Sequence, residues 1–157
     1  MSNTPKSDPV PLVKVAMPRR EHLMPQLESV LYGGMIGEGQ QDYDFEARFA
    51  RHFGLNNALA VSSGTAALHI ALLLAGAGQG SEVVTTSMTA EPTNTTILNC
   101  GATPVFADVD ARSGNLSPVA VEAVITSRTV AIVVVHYGGY PADLSALRAI
   151  ADRHRIS

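Results

Sequence analysis

The sequence predicts an α/β fold built on a mainly parallel sheet. Three observations carry this. From residue 58 onward, short β-branched or apolar runs alternate with segments of helical spacing, and the order βαβα is that of a parallel sheet with crossover helices. Residues 129–135, TVAIVVV, form a continuous β-branched run, the pattern of a strand buried on both faces of such a sheet. The junctions carry helix signals in the right places: Ser63, Ser117 and Asp143 as N-caps, Gly54 and Gly101 as stops.

Taken in order, residues 1–18 hold four prolines and read as an extended leader, and residues 19–157 read as one domain. Residues 21–31 have apolar positions at helical spacing, with Pro25 in an early turn where proline is tolerated. Residues 32–39, YGGMIGEG, are a glycine-rich loop. Asp42 and Asp44 can cap the helix DFEARFARHF, which Gly54 stops. Residues 58–62 read as a strand, 65–74 as a helix and 82–86 as a strand. Pro92 opens a helix that Gly101 closes, and 104–107 is a short strand. Ser117-Pro118 opens a helix running through Ile125, and Asp143 caps the last helix, LSALRAIADRHR.

Composition narrows the function. Apolar residues make up 46% of the 157 and the formal net charge is −3, so neither nucleic acid nor an anionic membrane is the expected partner. The N-terminus lacks a signal-peptide core and the longest apolar run, near residues 66–77, is too short to span a bilayer. A lone Cys100 fits a reducing compartment and a buried free thiol, and the expected location is cytoplasmic. The five histidines show no ligand spacing, so no metal site is expected; His69 reads as a packed residue of an apolar helix.

The chemistry concentrates in residues 60–74, AVSSGTAALHIALLL. A strand, a hydroxyl-bearing glycine turn and a helix form an anion cradle, in which unpaired N–H groups of the first helical turn and the helix dipole face a phosphate. The turn lacks the G-K-[ST] ending of a P-loop, and residues 76–80, GAGQG, follow a helix rather than a strand and so are a loop, not a dinucleotide fingerprint. In parallel sheets ligands lie beyond the carboxyl ends of the strands. The 63–65 turn, 86–90 and 136–140 all follow predicted strands and should share that edge.

The ordered set SSGTAALHIALLLAG, GSEVVTTSMTAEPTNTTILNCGATPVFADVD and TVAIVVVHYGGYPADLSALRAIADRH resembles the DegT/DnrJ/EryC1/StrS aminotransferases, with GEGQQDYDFEARFARHFGL resembling their opening. The resemblance runs from about residue 18 to the end. It implies a fold type I pyridoxal-phosphate transferase: the large-domain sheet cut before completion, without the C-terminal small domain. It implies pyridoxal 5'-phosphate as cofactor, a nucleotide-linked keto-sugar as substrate, glutamate as amino donor, and a homodimer or complementing chain as partner.

By the same resemblance Ser63, Gly64, Thr65 and Ala66 grip the cofactor phosphate. Ala90 stands where an aromatic residue commonly stacks on the pyridine ring, so that partner is reduced to a methyl group; His136 opens the V-H-x-x-G-x-P-x-D turn that shapes the site. The Schiff-base lysine and the aspartate that pairs with the pyridine nitrogen fall, in the family, beyond the position of Ser157, so no catalytic residue is assigned. The two lysines, Lys6 and Lys14, lie in the leader, and Asp108 and Asp110 match a structural F-x-D-x-D turn. The expectation is an N-terminal part of an aminotransferase, inactive alone. The alternatives are a non-catalytic remnant or partner docking on another chain, and a family dehydratase.

Overall fold

The computed structural model describes residues 15–157, which fall into two compact units, residues 15–60 and 61–157. Lys6 and Lys14, and most of the proline-rich leader, lie outside the described residues.

The first unit holds α1 (Arg20–Tyr32) and α2 (Gln40–Phe53). Pro25 is the sixth residue of α1, past the first turn, so its missing N–H leaves one intrahelical hydrogen bond unmade. The helix α2 starts early. Asp42 acts backward rather than as the cap itself: its carboxylate accepts the Gly39 N–H at 2.9 Å from the third helical position. Asp44 sits inside the helix and accepts the Gln40 amide at 2.9 Å. Gly54 ends α2 with φ 65°, a left-handed turn that a residue without Cβ adopts at no steric cost. Phe45, Phe49 and Phe53 stack along one face of α2, with ring centroids 5.8 and 4.5 Å apart.

The second unit contains α3 (Gly64–Leu74), β1 (Glu82–Thr85), α4 (Glu91–Asn99), β2 (Thr103–Phe106), α5 (Pro118–Val124), β3 (Thr129–Ile132) and α6 (Leu144–His154). The strands are parallel in the order β2-β1-β3, with Val84 opposite Val105 on one side and Ile132 on the other. Alternation along β1 sends Val83 and Val84 to opposite faces. Val83 packs with Leu72, Ile97, Ala102 and Ala131, beneath α3 and α4; Val84 packs with Leu116, Val121, Leu147 and Ile150, beneath α5 and α6. The result is the expected α/β layering, helices on both faces of a parallel sheet.

Two strand expectations change. The doubly buried strand is β1, every residue of which is buried, whereas the TVAIVVV run is half-buried and pairs as a strand only over its first four residues. Among the described residues it has one strand neighbour, β1, and on its other side Ser157 bonds it: Ser157 N–H donates to Val130 C=O at 3.0 Å and Ser157 C=O accepts from Ile132 N–H at 2.8 Å. Residues 58–62 form no ladder, because no strand among the described residues offers them a partner. The Ala60 N–H is instead held by the Glu46 carboxylate at 2.7 Å.

Among the described residues no helix is long and apolar enough to cross a membrane, and no three His, Cys, Asp or Glu residues cluster as metal ligands.

Candidate active site

The turn at Ser63 is built by its own side chain. Ser63 is extended at φ −163°, and its Oγ accepts the Ala66 N–H at 3.1 Å. The next amide, Ala67, donates to Ser63 C=O at 3.0 Å. The Gly64 and Thr65 N–H groups and the Thr65 hydroxyl have no partner among the described residues, and both residues are exposed. A Cβ built on Gly64 meets no atom within 4 Å. An exposed helix N-terminus with two open amides, a hydroxyl and clear space in front fits a phosphate group, through charge-assisted hydrogen bonds and the dipole of an 11-residue helix. Ala66 differs from its expected part: its amide is already occupied by the cap.

Topology brings the other predicted residues to the same edge. The C-terminal end of α3 leads through residues 75–81 into the start of β1, so the N-terminus of α3 lies toward the far end of that strand. The loop 86–90 leaves the end of β1, and residues 133–140 leave the end of its parallel neighbour β3, with Val133 N–H still donating to Val84 C=O at 2.8 Å.

The 86–90 loop is held rigidly from beneath. Thr85 and Thr86 are buried. The Thr85 hydroxyl donates to Asn94 Oδ1 at 2.8 Å, and Asn94 Nδ2 donates to Thr86 C=O at 3.1 Å. Thr86 Oγ1 accepts the Met88 N–H at 3.1 Å, and the Thr89 hydroxyl donates to Thr93 Oγ1 at 2.9 Å. Ala90 then occupies the N-cap position of α4, exposed and with only a methyl to offer.

His136 starts a tight turn. Residues Tyr137–Gly139 form a 3₁₀ turn in which Gly138 (φ 60°) and Gly139 (φ 80°) are left-handed. Its ring also serves the turn, since Nδ1 accepts the Ala142 N–H at 3.1 Å. Asp108 and Asp110 both bond within their own turn. Asp108 Oδ1 accepts its neighbour's N–H at 2.8 Å, while Asp110 Oδ1 gathers the Arg112 and Ser113 amides and the Ser113 hydroxyl at 3.0–3.1 Å. Those bonds, led by the Ser113 amide, hold the Asp110 carboxyl below its ordinary range. Cys100 is half-buried and burial pushes its thiol up.

Asn94 and Asn115 are the residues that sequence reasoning missed. Neither sits in a spacing that marks a site; Gly114-Asn115 signals only a turn.

A family model described as the DegT/DnrJ/EryC1/StrS aminotransferase family matches residues 19–157. The spore coat polysaccharide biosynthesis protein SpsC of Bacillus subtilis (strain 168) is 43% identical over 131 residues, covering 83% of this chain and 34% of that protein. The sugar aminotransferase CalS13 from Micromonospora echinospora is similar with a TM-score of 0.84 and 40% identity, over 92% of this chain and 39% of that one. NtdA from Bacillus subtilis, solved with bound cofactor PMP, gives a TM-score of 0.84 at 29% identity, over 87% of this chain and 32% of that one. The chain spans about a third of the length of these relatives.

Proposed function

The chain belongs to the DegT/DnrJ/EryC1/StrS aminotransferase family, with the fold type I architecture of its sugar aminotransferases, and on that premise we propose that it forms the phosphate grip of a pyridoxal-phosphate site. The whole protein would transfer an amino group from glutamate to a nucleotide-linked keto-sugar. The single observation that carries this is the Ser63-capped start of α3, where the Gly64 and Thr65 amides and the Thr65 hydroxyl stand open.

Bound pyridoxal phosphate would supply the electron sink for moving the amino group. The residues of this chain bind and orient it. Gly64 and Thr65 hold the phosphate, Ala66 continues the first helical turn, and Ala90 and His136 border the cofactor from the loops after β1 and β3. No lysine occurs in residues 15–157, so nothing there anchors the cofactor covalently or moves the substrate proton. The chain alone therefore binds through the phosphate without turning over.

The test is equilibrium binding of pyridoxal phosphate to the purified chain, with inorganic phosphate as competitor, followed by assay with glutamate and a nucleotide-linked keto-sugar. Competitive, non-covalent binding that Thr65→Val weakens, with no product, supports the proposal. Binding that inorganic phosphate fails to displace overturns it, as does product formed by the chain alone.

A second reading, a subunit that works by docking on another chain, is favoured by one feature. Beside β3 an apolar groove of about 340 Å³ is lined by Ile132, Val134, Leu144, Leu147 and Ala151, together with Arg148 and Ser157. A homodimer or a complementing chain would cover such a surface.

A further inference from the structure

The turn that carries His136 does not hold itself. The loop of residues 110–115 forms a seat for it. That loop is first made rigid: besides the three bonds to the Asp110 carboxylate, Asp110 N–H donates to Asn115 C=O and Gly114 N–H to Asp110 C=O, both at 2.8 Å, and Asn115 N–H donates to Ser113 Oγ at 3.3 Å. From this base the Asn115 side chain, 4% exposed, spans the turn. Its Oδ1 accepts the Tyr137 N–H at 2.8 Å and its Nδ2 donates to Tyr140 C=O at 3.0 Å. The two partners fix which end of the amide is which, since a peptide N–H only donates and a carbonyl only accepts. Gly114 supplies a second contact. A Cβ there would lie 3.0 Å from Tyr137 Cδ1, so the Tyr137 ring rests against the bare glycine.

The bracketed turn also sets the chemistry of His136. Its Nδ1 faces the Ala142 N–H, a donor that cannot reverse, so the proton of the neutral ring sits on Nε2. We propose that Asn115 is a positioning residue: by bracketing residues 137–140 it holds His136 in one tautomer and presents Nε2–H as a hydrogen-bond donor at the sheet edge of the site. The functional half rests on the cofactor reading above; the bracketing and the tautomer do not.

The experiment is ¹⁵N NMR of the 157-residue chain and its Asn115→Ala and Asn115→Asp variants, with binding of pyridoxal phosphate and of inorganic phosphate measured on each. The expected wild-type result is a single Nε2–H tautomer at His136 and a protected Tyr137 amide. In Asn115→Ala the tautomers mix and Tyr137 exchange rises roughly tenfold or more, the scale of one buried hydrogen bond. Asn115→Asp keeps the Oδ1 acceptor and restores Tyr137 protection. Pyridoxal phosphate binding weakens in Asn115→Ala while inorganic phosphate binding, held by Gly64 and Thr65, is unchanged.

An Nδ1–H or mixed tautomer in the wild type overturns the proposal even if the variants fail to fold. A tautomer and an exchange rate in Asn115→Ala equal to wild type also overturn it, as does equal weakening of both ligands. A wild-type chain that binds neither ligand defeats the cofactor reading and the functional half with it, while the tautomer still decides the bracketing.

Discussion

Substituting Gly64 by alanine should move stability and binding in opposite directions. Gly64 is the first residue of α3, its φ lies outside the left-handed region, and a Cβ on it meets nothing within 4 Å. The fold therefore accommodates alanine without strain, and the lost chain freedom of glycine in the unfolded state adds about 0.4–1 kcal/mol of stability. The same methyl works against the ligand. Cβ atoms of a helix tilt toward its N-terminus, so the group projects over the open Gly64 and Thr65 amides. A hydrogen bond to a charged group contributes about 1.5–3 kcal/mol, so losing one weakens phosphate binding by roughly ten- to a hundredfold. Urea denaturation gives the first quantity and equilibrium titration with pyridoxal phosphate the second. Unchanged affinity in a folded Gly64→Ala chain would refute the grip at this turn, and a fall in stability would refute the reading of Gly64 as sterically unneeded by the fold.

Further outcomes follow from other parts of the second unit. Asp143→Ala removes the Oδ1 that accepts the Ala146 N–H at 3.0 Å and should cost about 1 kcal/mol of unfolding free energy by urea denaturation, with phosphate affinity unchanged. Glu82 is buried at the start of β1, and bonds from Thr126 and then Arg128 hold its carboxyl below the ordinary range. A lowered folded-state pKa gives stability that is present above the unfolded value of about 4.3 and lost as pH falls through the folded one. Denaturation midpoints should drop in that acid window and the drop should shrink in Glu82→Gln. Cys100, with its thiol pushed up by burial, should react slowly with a disulfide reagent at neutral pH and rapidly once urea unfolds the chain. On the docking reading, the groove beside β3 drives self-association that sedimentation detects and Val134→Lys reduces, and a chain that sediments as a monomer refutes self-docking there.

Much of the site was legible because it is local. Ser63, Ser117 and Asp143 each cap a helix three residues ahead with their own side chains, a bond that needs only sequence proximity. Likewise Gly54 and Gly101 end helices in left-handed turns that favour their lack of a Cβ. What the sequence concealed depends on partners far along the chain. Residues 58–62 have the composition of a strand, yet a strand exists only where another pairs with it. The TVAIVVV run has the composition of a central strand, yet its place in the sheet is set by which neighbours cover it. Asn115 bonds residues 22 and 25 positions away, and no periodicity records that distance. Asn94 bonds back only eight or nine positions, but across a strand-to-helix loop whose path the pattern does not specify.

The parallel sheet separates two tasks that a single sequence must meet. The Ser63 turn proposed to grip phosphate and the loops after β1 and β3 gather at the strand ends, where the Gly64 and Thr65 amides stay open. Glu82, Thr126 and Arg128 close the opposite end, joining the first residue of β1 to the residues just before β3. An open cradle gives the fold no stability from the groups it withholds, since Gly64 and Thr65 leave two donors unbonded. Bonds at the far edge can offset that loss without touching the ligand. It follows that Glu82→Gln and Gly64→Ala, which share no hydrogen-bond partner, should be additive in stability, while only the second alters binding. A non-additive double variant would mean that the two edges are coupled in stability.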